Sequence, residues 1–302
     1  MIRKLNISSS RSIFSFVKNK SMKKLISLLS LSIILIFSSC EEDSLNDFLG
    51  NSPLSESEIA EGLKSALSVG TDTSAAKLGA NDGYHGDPAV KLLLPLATQS
   101  SLETFKSKQI NVGFTSISGN TIYNGTSILG VTIPGLKFKE DELVLGINRA
   151  AEAAANEAAP IFIDAITAMS IADANDILFG GIDTAATAYL RGSSYTSLFN
   201  TYEPKIDNAL QQVTVGGTSI SQSYENFVAD YNNTLAIGIP GFGTLGSLMN
   251  LQSISVSDLS AYSTNKGLDG LFLKIAEEEQ DIRTDPLARI NEILVRVFSL
   301  LD

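Results

Sequence analysis

The sequence predicts a mainly α fold: one helical-bundle-like domain of seven to nine helices, with a β-rich or irregular insertion near 109–135. Three observations lead there. Apolar side chains recur at three- and four-residue spacing over most of the chain after Leu54. Ser, Asp and Pro stand just ahead of those stripes, where helix starts favour them. Of 302 residues, 44% are apolar and 18% charged, enough to close one sizeable core or two small ones.

The elements follow in order. Ser55 and Glu58 form a capping box, and Ile59, Leu63, Ala66 and Leu67 keep helical spacing, so a helix is expected over about 56–69, ending near Gly70. Leu143, Ile147, Ala150, Ala151, Ala154 and Ala158 make a stripe whose alanines let a neighbouring helix approach closely. Pro160 suits the first turn of a new helix. That segment, Ile161 to Met169, is apolar except at Asp164 and Thr167, which predicts an enclosed position. Ser170 with Asp173 would cap a third helix ending at Gly180-Gly181, and Asp183 a fourth ending at Gly192. Ser257 would cap the next, in which Leu268, Leu271, Phe272, Ile275 and Ile282 share a face to about 283. Asp285-Pro286 then opens a last helix with Leu287, Ile290, Leu294, Val297, Phe298 and Leu301 inward and Arg289, Glu292 and Arg296 outward.

Two stretches break this grammar. Residues 109–135 alternate partially and are rich in Ile, Val, Thr and Gly, with turn formers at Gly119-Asn120 and Asn124-Gly125; a hairpin or small meander is expected. Residues 236–249 are apolar and Gly-rich, which reads as a loop packed on the domain.

Charge separates the chain into parts. Residues 1–39 carry seven basic side chains and no acid, whereas the chain from Cys40 on holds 15 basic and 33 acidic ones, a net charge of −18. Met22-Lys23-Lys24, the apolar run Leu25 to Phe37 and small Ser38-Ser39 read as a secretory signal. Thirteen helical residues would span about 20 Å, against a hydrocarbon core of about 30 Å. Cys40 after the small pair fits the lipobox of a bacterial lipoprotein, so Cys40 is the expected lipidation site; the alternative is an ordinary cleaved signal leaving a free thiol. Residues 22–40 are a complete signal by themselves, making 1–21 a candidate mis-assigned start. Residues 40–53 then form an acidic, polar tether, and 54–302 the helical domain. Glu41-Glu42-Asp43 is either a solvated spacer or the acidic tag of surface-exposed outer-membrane lipoproteins. The expected location is the cell envelope, on an outer membrane facing periplasm or cell surface.

Composition also excludes. A single Cys rules out disulfide scaffolds and cysteine zinc sites, and the acidity disfavours nucleic acid and anionic lipid surfaces. With His85 as the lone histidine, a Ser-His-Asp triad or a His-rich metal site has little to build on. His85 sits in the turn-forming run 81–88, whose spacing does not match an EF-hand, so an exposed turn is expected, with no metal and no cofactor.

The segments LSESEIAEGLKSAL, DGYHGDPAVKLLLP, the alanine-rich block 148–190, LDGLFLKIAEEEQDIRTDPLAR and ILVRVF resemble a bacterial family known as domain of unknown function 4197. The likeness covers most of 54–299 and implies a secreted, largely helical domain with no assigned activity. The 109–135 and 236–249 segments stand out as departures from it.

One charge stands out geometrically. At about 100° per residue, Glu279 falls between Ile275 and Phe272 on the apolar face of its helix. A buried carboxylate needs a partner. The expected cluster joins Glu279 to Arg283 and to one of Arg149 or Arg191, with Asp164 as a further member. Its simplest role is to fix helix register. Two function classes follow: a non-catalytic, lipid-tethered envelope protein that binds an envelope protein or ligand, and a hydrolase of envelope polymers using Glu279 with Asp164 or Glu278.

Overall fold

The computed structural model describes residues 53–302; the expected signal, Cys40 and the expected tether up to Ser52 lie outside the described residues. The fold is mainly α, with ten α-helices and four small strand pairs among the described residues.

Four long helices close a ring around the core: α1 (Glu56–Leu78), α4 (Lys137–Ala168), α6 (Ala185–Gln212) and α9 (Leu259–Thr284). In ring order α1 packs on α4, α4 on α6, α6 on α9, and α9 back on α1. The Ser55/Glu58 capping box starts α1. The expected alanine stripe of α4 is buried throughout, as are Leu268, Leu271, Phe272, Ile275 and Ile282 on α9. Around the ring, α5 (Ala174–Phe179) and α10 (Glu292–Phe298) lie on α1, and α7 (Ile220–Ala236) lies on α4 and α6. The short α8 (Leu245–Met249) packs on α7, and α2 (Leu96–Ser107) on α3 (Gly119–Tyr123).

Several helices outrun their expected ends. Helix α1 continues past Gly70, which is buried where α9 comes so close that an added Cβ would lie 3.4 Å from the Ile275 carbonyl oxygen. Helix α4 is one helix through Pro160, and α6 runs through Gly192 and Pro204. All three residues face solvent, where water can satisfy a carbonyl that proline leaves unpaired. Residues 161–169 are not enclosed: Phe162 and Ile166 are buried, whereas Asp164 and Thr167 face water. At the C-terminal end, Pro286–Ala288 is a 3₁₀ turn with Leu287 and Ile290 exposed; Asn291 caps α10 instead.

The strands build helix corners. Hairpin β1–β2 (Gln109–Val112, Thr115–Ser118) joins α2 to α3, and β3–β4 (Thr126–Ile128, Val131–Ile133) joins α3 to α4. Hairpin β5–β6 (Thr214–Val215, Thr218–Ser219) joins α6 to α7, and β7–β8 (Gly238–Ile239, Gly243–Thr244) joins α7 to α8. Residues 236–249 are thus a hairpin and a helix rather than a loop. The first, third and fourth corners close alike. The first N–H of the outgoing helix returns to the residue ending the incoming one, as Gly119 to Lys108 (2.6 Å), Ile220 to Val213 (3.2 Å) and Leu245 to Ile237 (2.9 Å). Ser118, Ser219 and Thr244 then cap the outgoing helices. Gly216 and Gly217, at φ 59° and 83°, supply the two left-handed residues that a tight hairpin turn needs.

Candidate functional site

Two buried carboxylates organise one side of the ring. Glu279 on α9 is fully buried and lies at the start of α6. It accepts the N–H groups of Ala186 (3.0 Å) and Thr187 (2.7 Å), the Thr187 hydroxyl (2.7 Å) and Arg283 Nε (3.0 Å). It therefore caps α6 from another helix, and Asp183 does not: the N-cap position is Thr184, which makes no side-chain capping bond. Arg283, buried beside it, donates to the Leu178 and Ile177 carbonyls, which are orphan acceptors at the end of α5. Arg289 extends the chain of contacts. Expected on the solvent face, it is buried, donates to the Ile282 and Arg283 carbonyls ending α9, and grips the Asp302 carboxylate with two bonds of 2.7 Å. The Arg289 guanidinium holds the Asp302 carboxyl below its ordinary pKa.

Of the other residues expected in this cluster, none joins it. Asp164 is exposed on α4. Arg149 bonds Glu152 (2.6 Å) and Asp82 (2.8 Å) instead, and Arg191 pairs with Asp269 (2.5 Å). Glu278 pairs with Lys77.

The second carboxylate, Glu152 on α4, went unread in the sequence. It accepts the N–H groups of Tyr84 (3.2 Å) and His85 (3.1 Å). One turn earlier, Asn148 bonds both the N–H and the carbonyl of Leu92 (2.9 and 2.7 Å). The available signal was the pairing itself, two polar residues four apart within an alanine-rich stripe. Together they pin residues 80–94 to the ring. Tyr84 is buried rather than in an exposed turn, with its hydroxyl donating to the Gly267 carbonyl (2.8 Å), and burial pushes its pKa well up. Lys274 fastens the outer side through Asp87 (2.8 Å), and that ammonium keeps the Asp87 carboxyl below its usual range.

Replacing Glu152 with Gln puts an amide nitrogen against either two N–H donors or a guanidinium. Exchange of the Tyr84 and His85 amide hydrogens is expected to speed by about tenfold or more, as for a loss of about 1–3 kcal/mol locally; hydrogen–deuterium exchange checks it.

Between this pinned segment, the first turns of α6 and the middle of α9 lies an open groove of 450 Å³. Its floor includes Val90, Phe272 and Leu273, and its rim carries Lys91, Arg191, Lys266 and Asp269. The Arg191 guanidinium stands 5.1 Å from the Phe272 ring centre and 5.0 Å from that of Tyr195. Among the described residues, no group of three or more His, Cys, Asp or Glu side chains could hold a metal ion.

The family described as protein of unknown function (DUF4197) matches residues 53–116 and 126–299. The chain belongs to this family. No curated protein and no solved structure matches it. The DUF4197 match includes both carboxylates, the pinned segment, the whole groove and residues 236–249. What it leaves out near the expected insertion is 117–125, the end of β2 and helix α3, so most of 109–135 belongs to the DUF4197 domain.

Proposed function

We propose that the protein is a lipid-anchored cell-envelope component whose helical domain binds a ligand or partner rather than catalysing a reaction. The observation that carries this reading is how the two buried carboxylates are used. Glu279 and Glu152 each hold two main-chain N–H groups and an arginine, leaving both committed to helix and loop termini. A hydrolytic pair needs two carboxyl groups facing a shared cleft. The groove instead presents one acid, Asp269, already paired with Arg191, above an apolar floor. Open, largely preformed clefts with a few placed polar groups are what binding sites require.

The anchor rests on residues 22–40: basic start, short apolar run, small pair, Cys40. Acyl chains at about 0.8 kcal/mol per buried CH₂ hold a protein at a bilayer without a spanning helix. Among the described residues no helix is long and apolar enough to cross a membrane. The net charge of −18 beyond the leader keeps the domain off nucleic acid. Cells fed an alkyne-tagged palmitate are expected to label the wild-type chain in the outer-membrane fraction. They are expected not to label Cys40→Ala. Equal labelling of both, or recovery of an uncleaved chain in the cytosol, overturns the anchor.

A further inference from the structure

We propose that the groove binds a single-chain anionic amphiphile, its hydrocarbon chain over Leu273 and the small side chains of Ala89, Ala188 and Ala276 and its carboxylate or phosphate head among Lys91, Arg191 and Lys266. The inference rests on the reading of the domain as a binding module and names what it binds.

Charge makes the case. Beyond the leader the chain holds 15 basic and 33 acidic side chains, so a surface concavity drawn at random would be acidic. This groove has three cations and one acid on its rim. Two other grooves of similar size differ: one combines Lys139 with Glu142 and Asp230, the other Arg283 with Asp183 and Asp302. An anion approaching the protein is repelled by most of the surface and attracted here.

The donors suit a head group. Arg191 has five N–H donors, and among the described residues one of them, on Nη2, is used, by Asp269. The guanidinium lies over the Phe272 and Tyr195 rings, and its planar fork matches a carboxylate or phosphate. Lys266 makes a loose ion pair with Asp269 at 3.8 Å, beyond hydrogen-bond reach, which leaves its N–H donors for a ligand. The nearby start of α6 does not serve the anion itself, because Glu279 already holds the Ala186 and Thr187 N–H groups. Recognition therefore falls to side chains.

The floor suits a chain. Leu273 is 40% exposed in the groove, Ala89 and Ala188 are exposed beside it, and the buried Val90 and Phe272 lie beneath. Covering such a surface with methylene groups is favourable at about 25 cal/mol per Å². A hydrophilic anion would leave that surface wet, and a neutral chain would leave the cations unused.

The test uses the purified full chain carrying Cys40→Ala, which removes its own acyl chains as competitors. Four probes with one twelve-carbon tail are titrated by calorimetry below their micelle concentrations: dodecanoate, dodecyl phosphate, dodecyltrimethylammonium and dodecanol. Dodecanoate and dodecyl phosphate are expected to bind about tenfold or more tighter than the cation and the alcohol, and the two anions compared with each other tell which head is preferred. Lys266→Glu is expected to shrink that preference by about tenfold. Leu273→Asp is expected to weaken dodecanoate by a similar factor, while Leu287→Asp, at an exposed site outside the groove, leaves it unchanged. Equal binding of all four probes that Leu273→Asp abolishes overturns the ligand class but keeps the groove as a binding site. Binding of none of the probes, or binding indifferent to both Lys266→Glu and Leu273→Asp, overturns the assignment. Neither result bears on Cys40, whose labelling is read separately.

Discussion

Glu279→Ala is expected to lower the melting temperature by about 10 °C. The carboxylate is fully buried and meets four donors, so its removal strands two N–H groups, a hydroxyl and the guanidinium of Arg283 at once. Breaking a buried ion pair by deleting one partner costs about 3–5 kcal/mol. In a domain of this size each kcal/mol shifts the transition by about 2–4 °C. Arg283→Met alone should also destabilise, since it leaves the carboxylate without its cation and the Ile177 and Leu178 carbonyls without donors. The double variant Glu279→Ala/Arg283→Met should lose less than the sum of the two, because neither charge is then left alone. Thermal unfolding followed by circular dichroism decides it. A loss under about 2 °C for Glu279→Ala would mean that the start of α6 is held by something else.

Gly119→Ala is expected to cost about 3 kcal/mol or more, seen as a fall of roughly 6–12 °C in the same measurement. A Cβ at Gly119 would lie 1.9 Å from the carbonyl oxygen of Phe105, a main-chain atom that cannot turn aside. Either α3 moves off α2 or the hairpin between them opens, and Gly119 N–H then loses the Lys108 carbonyl. Gly192→Ala is the matched control. An added Cβ there has nothing within 4 Å, and the residue lies inside α6 at an ordinary helical φ. It should stabilise by about 0.5–1 kcal/mol, because alanine loses less backbone entropy in a helix.

How far the sequence could be read shows in these residues. Not every helix start was legible: Pro160 lies inside α4, Thr184 and Asp258 hold the cap positions expected at Asp183 and Ser257, and Asn291 starts the last helix. The first start and the buried faces were, because caps and apolar spacing are local: the Ser55/Glu58 box, the alanine stripe of α4 and the inward position of Glu279 all follow from neighbours one turn away. Helix ends were not. Gly192 and Pro160 suggested stops, yet the buried stripe runs on through Phe162 and Ile166 in α4 and through Leu198, Tyr202 and Ile206 in α6. Tertiary packing of a continuous apolar face outweighs a single breaker on the solvent side. The site was half legible. Periodicity placed Glu279 beside Arg283, but the donors it serves lie 92 and 93 residues away in sequence, and no local pattern encodes them. Arg149 and Arg191 were plausible partners for the same reason that they were wrong: choosing among a few arginines needs the three-dimensional path of the chain. A regular helix after Pro286 would turn Arg289 outward, and the 3₁₀ turn breaks that register.

The tight hairpin turns offer something practical. An added side chain would meet nothing within 4 Å at Gly113, Gly130, Gly216, Gly217 or Gly241, and Phe114 at one tip is fully exposed. The sequence contains no tryptophan. A lone indole installed at Phe114 would therefore be a background-free optical reporter, and epitopes grafted at these tips would let antibodies test the proposed anchoring and the side of a membrane from which the domain is reached.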